Sequence, residues 1–321
     1  MNKYNFYGRL TKEFPSQVIV DVTNVCNYKC IHCPQAKISS KKGFKGIWLD
    51  YKLNQKLIDE VREYSNGAVQ QIRYTANGEP LLHSNIIDML DYAVHNSGTF
   101  VSLTTNGSLL TEDIRQGLLT MNIGLIDISI DALSEKAYSS IRINGKFKTT
   151  LDNVINLLKE KAQLNSKTRI VVSFVEQELN KHESEDFKKF WEEKGVDFVI
   201  IRRLHTAAGM QINDFKEKEG KQENRYPCVY PWERIMLTSS GYLSYCPNCW
   251  EGSSEIINYN DSSIKEVWNG KYYKNLRQAH LNNDFKDFKF CRQCVDWKQT
   301  RWPEEGRGYG DMIAEFNKTN D

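Results

Sequence analysis

The sequence predicts an α/β protein with a small cysteine-rich region on its C-terminal side. Three observations lead there. Strand-like and helix-like segments alternate through the first two-thirds of the chain. Polar residues recur where those strands end. The 8 cysteines fall into two groups, Cys26 to Cys33 and Cys228 to Cys294, separated by a long stretch with none.

The elements follow in order. Val18 to Val22 is a β-branched run that predicts a strand leading into the first cysteine group. Asn54 to Tyr64 has helical spacing. Val69 to Thr75 predicts a second strand, with Asn77-Gly78-Glu79-Pro80 as its loop. Asn85 to His95 predicts a helix with Ile86, Leu90 and Ala93 on its apolar face. Thr99 to Thr104 is a strand ending in Thr105-Asn106-Gly107, and Thr111 to Leu119 a helix. Leu125 to Ile130 is a strand ending at Asp131, and Thr150 to Leu164 a helix. Arg169 to Val175 is a strand. Glu185 to Lys194 is a helix stopped by Gly195, and Val196 to Arg202 is the sixth strand. Such alternation predicts a parallel sheet with right-handed crossovers, as an open barrel or a doubly wound sheet. The polar traces sit at the carboxyl ends of the strands, the edge where parallel α/β folds bind ligands.

Composition narrows the class. The chain has 321 residues, 40% hydrophobic and 12% aromatic, enough for a sizeable core. A net charge of +2 argues against nucleic acid as a partner. Mean hydropathy is −0.58, and no apolar run approaches the roughly 18 residues of a membrane span. Met1 to Phe14 has no signal-peptide core, so a cytoplasmic location and reduced thiols are expected. Residues 1–12 read as a tail, 13–205 as the α/β domain and 206–227 as a polar linker. Residues 228–296 read as a second domain, and 297–321 as a C-terminal tail with no assigned role.

The cysteine spacings carry the chemistry. Cys26, Cys30 and Cys33 form C-x3-C-x2-C directly after the first strand. Three thiolates there can hold three irons of a four-iron cluster and leave the fourth open. A zinc site with His32 as fourth ligand is the alternative, made awkward by the adjacency of His32 and Cys33. In the second group, Cys246-x2-Cys249 and Cys291-x2-Cys294 together spell a possible zinc ribbon. With Cys228 and Gly241 included, the same region suits an iron–sulfur cluster.

On these residues the chain resembles the radical S-adenosylmethionine (SAM) enzymes. Cys26, Cys30 and Cys33 match the family motif, with His32 in its aromatic position. The resemblance implies a partial (β/α)6 barrel, TIM-like, and a SAM-binding [4Fe–4S] cluster on the three thiolates. Asn77-Gly78-Glu79-Pro80 resembles the family's G-G-E-P loop, with Asn77 in place of the first glycine. It implies that Glu79 binds the SAM ammonium. Thr105, Asn106, Ser129, Asp131, Arg142 and Val175 are implied as further SAM contacts. The second region resembles the twitch domain, the shortened SPASM domain. That implies an auxiliary [4Fe–4S] cluster on Cys228, Cys246, Cys291 and Cys294, leaving Cys249 over.

The resemblance further implies reductive cleavage of SAM and hydrogen abstraction from a substrate. By domain plan the chain resembles aminocyclitol dehydrogenases and aminoglycoside epimerases. A carbohydrate-like small molecule is therefore the expected substrate, and flavodoxin or ferredoxin the expected reductant. Arg202 and His205 are candidate catalytic groups at the end of the sixth strand, and Cys249 is a candidate hydrogen donor. Peptide modification is the alternative. A non-enzymatic iron–sulfur carrier would have no use for the Glu79 loop.

Overall fold

The computed structural model describes residues 4–75, 77–204, 206–207, 225–305 and 308–318. Six parallel strands form its frame: β1 (Gln17–Val20), β2 (Gln71–Tyr74), β3 (Phe100–Thr105), β4 (Leu125–Ser129), β5 (Arg169–Glu176) and β6 (Phe198–Arg203). They lie side by side in chain order. A doubly wound sheet reverses its order part-way. The consecutive order selects the open barrel instead. Gln17 pairs with Gln71, Gln71 with Phe100, and Ser102 with Leu125, so the strand ends form one rim.

Helices cover the outside: α1 (Gln35–Ser39), α2 (Tyr51–Tyr64), α3 (Ile86–Asn96), α4 (Glu112–Thr120), α5 (Glu135–Ile141), α6 (Phe147–Leu164) and α7 (Ser184–Glu193). Each longer helix buries one stripe, for example Leu57, Ile58 and Val61 on α2, against the outward apolar residues Val18, Val20, Ile72 and Leu103 of the sheet. Asp50 caps α2 through the Lys52 N–H, and Ser134 caps α5 through the Ala137 N–H.

The C-terminal region continues the same sheet. It contributes α8 (Tyr230–Glu233), β7 (Arg234–Leu237), β8 (Tyr242–Ser244), β9 (Glu255–Asn258), α9 (Ile264–Asn269), α10 (Lys271–Asn282) and α11 (Lys289–Gln293). β7 runs parallel to β1 on the side away from β2, and β8 and β9 fold back antiparallel. Gly241, at φ +83°, makes the β7–β8 turn. Among the described residues β6 and β7 are not paired, so the barrel stays open between them.

The segment after residue 297 is structured as well. Helix α12 (Tyr309–Lys318) buries Ile313 against Leu125 and Val171. These residues stand at the amino ends of their strands, so α12 plugs the barrel opposite the ligand rim. Of the 206–227 linker reading, residues 208–224 lie outside the described residues.

Candidate active site

The first cysteine group lies on a loop without regular structure between β1 and α1. Lys29 N–H donates to the Ile143 carbonyl and Ile31 N–H to the Ile141 carbonyl, tying the loop to the end of α5. Tyr28 is buried in a hydroxyl cluster with Tyr138 and Thr150. Cys30 is buried, and Cys26 and Cys33 are half-buried. Burial pushes the Cys26 and Cys33 thiols up to about 12, and the neighbouring thiols add to the rise. The three thiols share one short loop, with Arg142 beside Cys30. An iron cluster must draw protons off such thiols as it binds.

Gly78 lets the Glu79 loop lie against the cysteine loop. A Cβ at Gly78 would meet the Thr23 carbonyl oxygen at 2.3 Å and that of Val25 at 2.4 Å. The Glu79 N–H donates to the Val25 carbonyl at 2.9 Å. The Glu79 carboxylate accepts from Thr105 Oγ1 at 2.6 Å, the Asn106 N–H at 2.8 Å and the Leu81 N–H at 3.2 Å. Burial raises its pKa while these donors oppose the rise. An arriving ammonium favours the charged form further. Asn106 also donates to Asn27, which follows Cys26, so Glu79, Asn106 and the cysteine loop form one polar network. Pro80 opens the short turn that follows.

Asp131 follows the end of β4. It is fully buried at φ 64°. Its carboxylate accepts from Arg142 at 2.5 Å and from the Val175 N–H at 2.7 Å. Arg142 in turn lies 3.9 Å from the Cys30 sulfur. Asp131 thus holds a cation beside the Cys30 sulfur. Asn180, absent from the sequence reading, donates to the Asp131 and Val175 carbonyls and fixes this corner. Ser129 is half-buried at the end of β4.

Buried Asp21 was also missed, because it reads as part of a strand. It accepts from the Asn77 N–H and from Ser239, and burial raises its carboxyl to about 7. It joins the Glu79 loop to the turn after β7.

Cys228, Cys246, Cys291 and Cys294 line one cavity with Arg225, Tyr245 and His280. Cys249 does not line it. That thiol is buried next to Ser253, at 3.1 Å, in the β8–β9 connection. Among the described residues no three His, Cys, Asp or Glu side chains converge as a single metal ion requires. Four thiols around one shared cavity are a donor set that fits a four-iron cluster. Burial and neighbouring thiols raise Cys228 and Cys291 to about 12, and burial with the nearby Asp296 carboxylate raises Cys294 to about 11. His280 accepts the Cys228 N–H at Nδ1, and burial lowers its pKa to about 3, so it is neutral.

Arg225 stands over the Phe285 ring at 4.1 Å, and its Nε and Nη1 have no hydrogen-bond partner among the described residues. It lines the cavity with these thiols, signalled in sequence only by its place three residues before Cys228. A positive charge there stabilises the reduced cluster. Arg225→Met should lower the auxiliary cluster's midpoint potential by on the order of tens of millivolts in an EPR-monitored redox titration.

Arg202 points into the barrel. Its guanidinium donates to Asp127 at 2.5 Å and to Ser173 at 3.2 Å. His205 lies outside the described residues. A cavity of about 790 Å³ opens at the rim, lined by Ile31, Glu176, Leu179, Arg203, Asp296 and Gln299 among others.

Family models match this arrangement: the radical SAM superfamily over residues 20–181, and an iron–sulfur cluster-binding SPASM domain over residues 228–295. The chain belongs to the radical SAM superfamily. As a radical SAM protein with a SPASM domain, it uses SAM and two [4Fe–4S] clusters. It is 24% identical over 197 residues to a tungsten-containing aldehyde ferredoxin oxidoreductase cofactor-modifying protein of Pyrococcus furiosus, spanning 61% of this chain and 53% of the relative. It is 25% identical over 260 residues to a probable GTP 3′,8-cyclase of Methanocaldococcus jannaschii, covering 71% of this chain and 83% of that one. Among solved structures it resembles BtrN in complex with AdoMet and 2-DOIA (TM-score 0.59, 16% identity, 92% and 98% coverage). It also resembles Streptococcus suis SuiB bound to the precursor peptide SuiA (TM-score 0.65, 16% identity, 94% and 73% coverage). Among the described residues no helix is long and apolar enough to cross a membrane.

Proposed function

We propose that this radical SAM enzyme oxidises a small polyol of the carbohydrate or aminocyclitol class. The 790 Å³ rim cavity carries this reading. Ile31 brings to its wall the loop between Cys30 and Cys33. Val295 and Asp296 bring the segment after Cys294. A substrate there lies between the two cluster sites.

When bound, SAM and the clusters supply a 5′-deoxyadenosyl radical and an acceptor for one electron. The chain's own residues do the rest. Glu79 orients the SAM ammonium. Arg203, Lys298 and Gln299 offer donors to hydroxyl groups, and Glu176 and Asp296 are acceptors for the proton the substrate loses. Arg202, held by Asp127, is a positioning residue below this cavity.

Oxidation is favoured over epimerisation because Cys249 is not among the residues that line the rim cavity. Peptide modification is the second reading, favoured by the exposed apolar Ile31 and Leu179 on the cavity wall. An anaerobic screen in heavy water, scored by mass, separates the readings. Oxidation removes two hydrogens, and Cys249→Ser leaves it intact. Epimerisation through Cys249 gives deuterium gain without loss, and stops in that variant.

A further inference from the structure

A second cavity, of about 240 Å³, lies in the open seam between β6 and β7. Among the described residues Arg9, Arg73, Arg202, Arg234 and Arg301 line it with a single carboxylate, Glu233. It shares Gln299 with the rim cavity, and Tyr230 and Thr300 with the auxiliary cluster cavity.

Among the described residues three carboxylates reach these five arginines. Glu233 pairs with Arg234 and, at 2.5 Å, with Arg9. Asp311 takes Arg9 at 2.8 Å. One oxygen of Asp127 takes Arg202 at 2.5 Å and only approaches Arg73, at 3.7 Å. Arg73 otherwise donates to the Thr104 hydroxyl. It is repelled by both Arg202 and Arg234, and burial opposes its charge. Buried like charges short of counter-charge are costly unless an anion joins them. The Tyr309 ring lies 4.7 Å from the Arg73 guanidinium and 5.2 Å from that of Arg202, holding both in place. Guanidinium groups offer forked donors matched to phosphate oxygens. The C-terminal segment, through Arg301 and Tyr309, therefore helps to build this wall.

We propose that this cavity is an oxyanion site of the phosphate class. Binding there needs no turnover, so its failure would leave the oxidation reading standing.

The test is equilibrium dialysis of the cluster-loaded protein with radiolabelled inorganic phosphate at fixed ionic strength. One saturable site is expected, with sulfate competing. Arg73→Gln and Arg234→Gln should each weaken it by roughly tenfold or more. Arg73→Lys keeps the charge and should weaken it less. Arg301→Gln, on the exposed edge, cannot act by unfolding the core and should weaken it measurably. A hexose 6-phosphate that displaces the label where free hexose does not places the anion on a substrate. If neither displaces it, the site serves free phosphate. No saturable binding, or binding unchanged in Arg73→Gln, Arg234→Gln and Arg301→Gln, would overturn the proposal.

Discussion

Cys30→Ala should abolish reductive cleavage of SAM. Cys30 is the buried thiol of its group and the one against which Arg142 is set, with Asp131 behind it. Two remaining thiolates cannot complete a three-iron attachment. Without that cluster no electron reaches the sulfonium. The expected result is no 5′-deoxyadenosine above background when the variant is reduced with dithionite, and roughly half of the wild-type iron. The auxiliary site should remain loaded, because none of its four cysteines lies on the altered loop. Cleavage surviving in Cys30→Ala would mean that the catalytic cluster is misassigned.

Gly78→Ala should be nearly as severe by a different route. The added methyl would fall 2.3 and 2.4 Å from two backbone oxygens and 2.9 Å from the Val25 nitrogen. These are backbone atoms of the cysteine loop, which no rotamer change can move aside. Glu79 follows directly, and its N–H bond to Val25 lies within the displaced contact. The variant should lose about 3 kcal/mol or more of stability. At a temperature where it is still folded, SAM affinity should fall by roughly a hundredfold or more. Gly67→Ala is the control. Its Cβ meets nothing within 4 Å, so it should show only the strain of its φ of +78°, about 1 kcal/mol, with SAM binding unchanged. Calorimetry of SAM binding on both variants makes the comparison.

Much of this was legible in the sequence because the barrel strands are local patterns. β-branched runs such as Val18 to Val20 and Ile170 to Val172 announce buried parallel strands. The ligand rim followed from the residues that end them. The sheet order did not, because alternation alone is common to open barrels and doubly wound sheets. β7 was illegible for another reason. Arg234-Ile235-Met236-Leu237 is a short run, and its place beside β1 is a contact between residues more than 200 apart in the chain.

The site shows the same division. The cysteine spacings and the Glu79 loop were readable, since each is a short motif with one chemical use. Asp131 was readable as a rim residue, yet the fold turns its carboxylate towards Arg142 and the Val175 N–H. Arg225 carries no motif at all. Its relation to Cys291 and Cys294 depends on the chain returning over more than 65 residues. The helix α12 was hidden too, because its buried side chain Ile313 packs on strands laid down far earlier.

A substrate bound between the two cluster sites should be oxidised there. An anaerobic incubation of the reduced, cluster-loaded protein with SAM and a candidate polyol library, in heavy water, tests it most directly. The predicted result is a product two hydrogens lighter, formed with 5′-deoxyadenosine and unchanged in Cys249→Ser. A product of unchanged mass that has gained deuterium, or turnover confined to peptides, would contradict it.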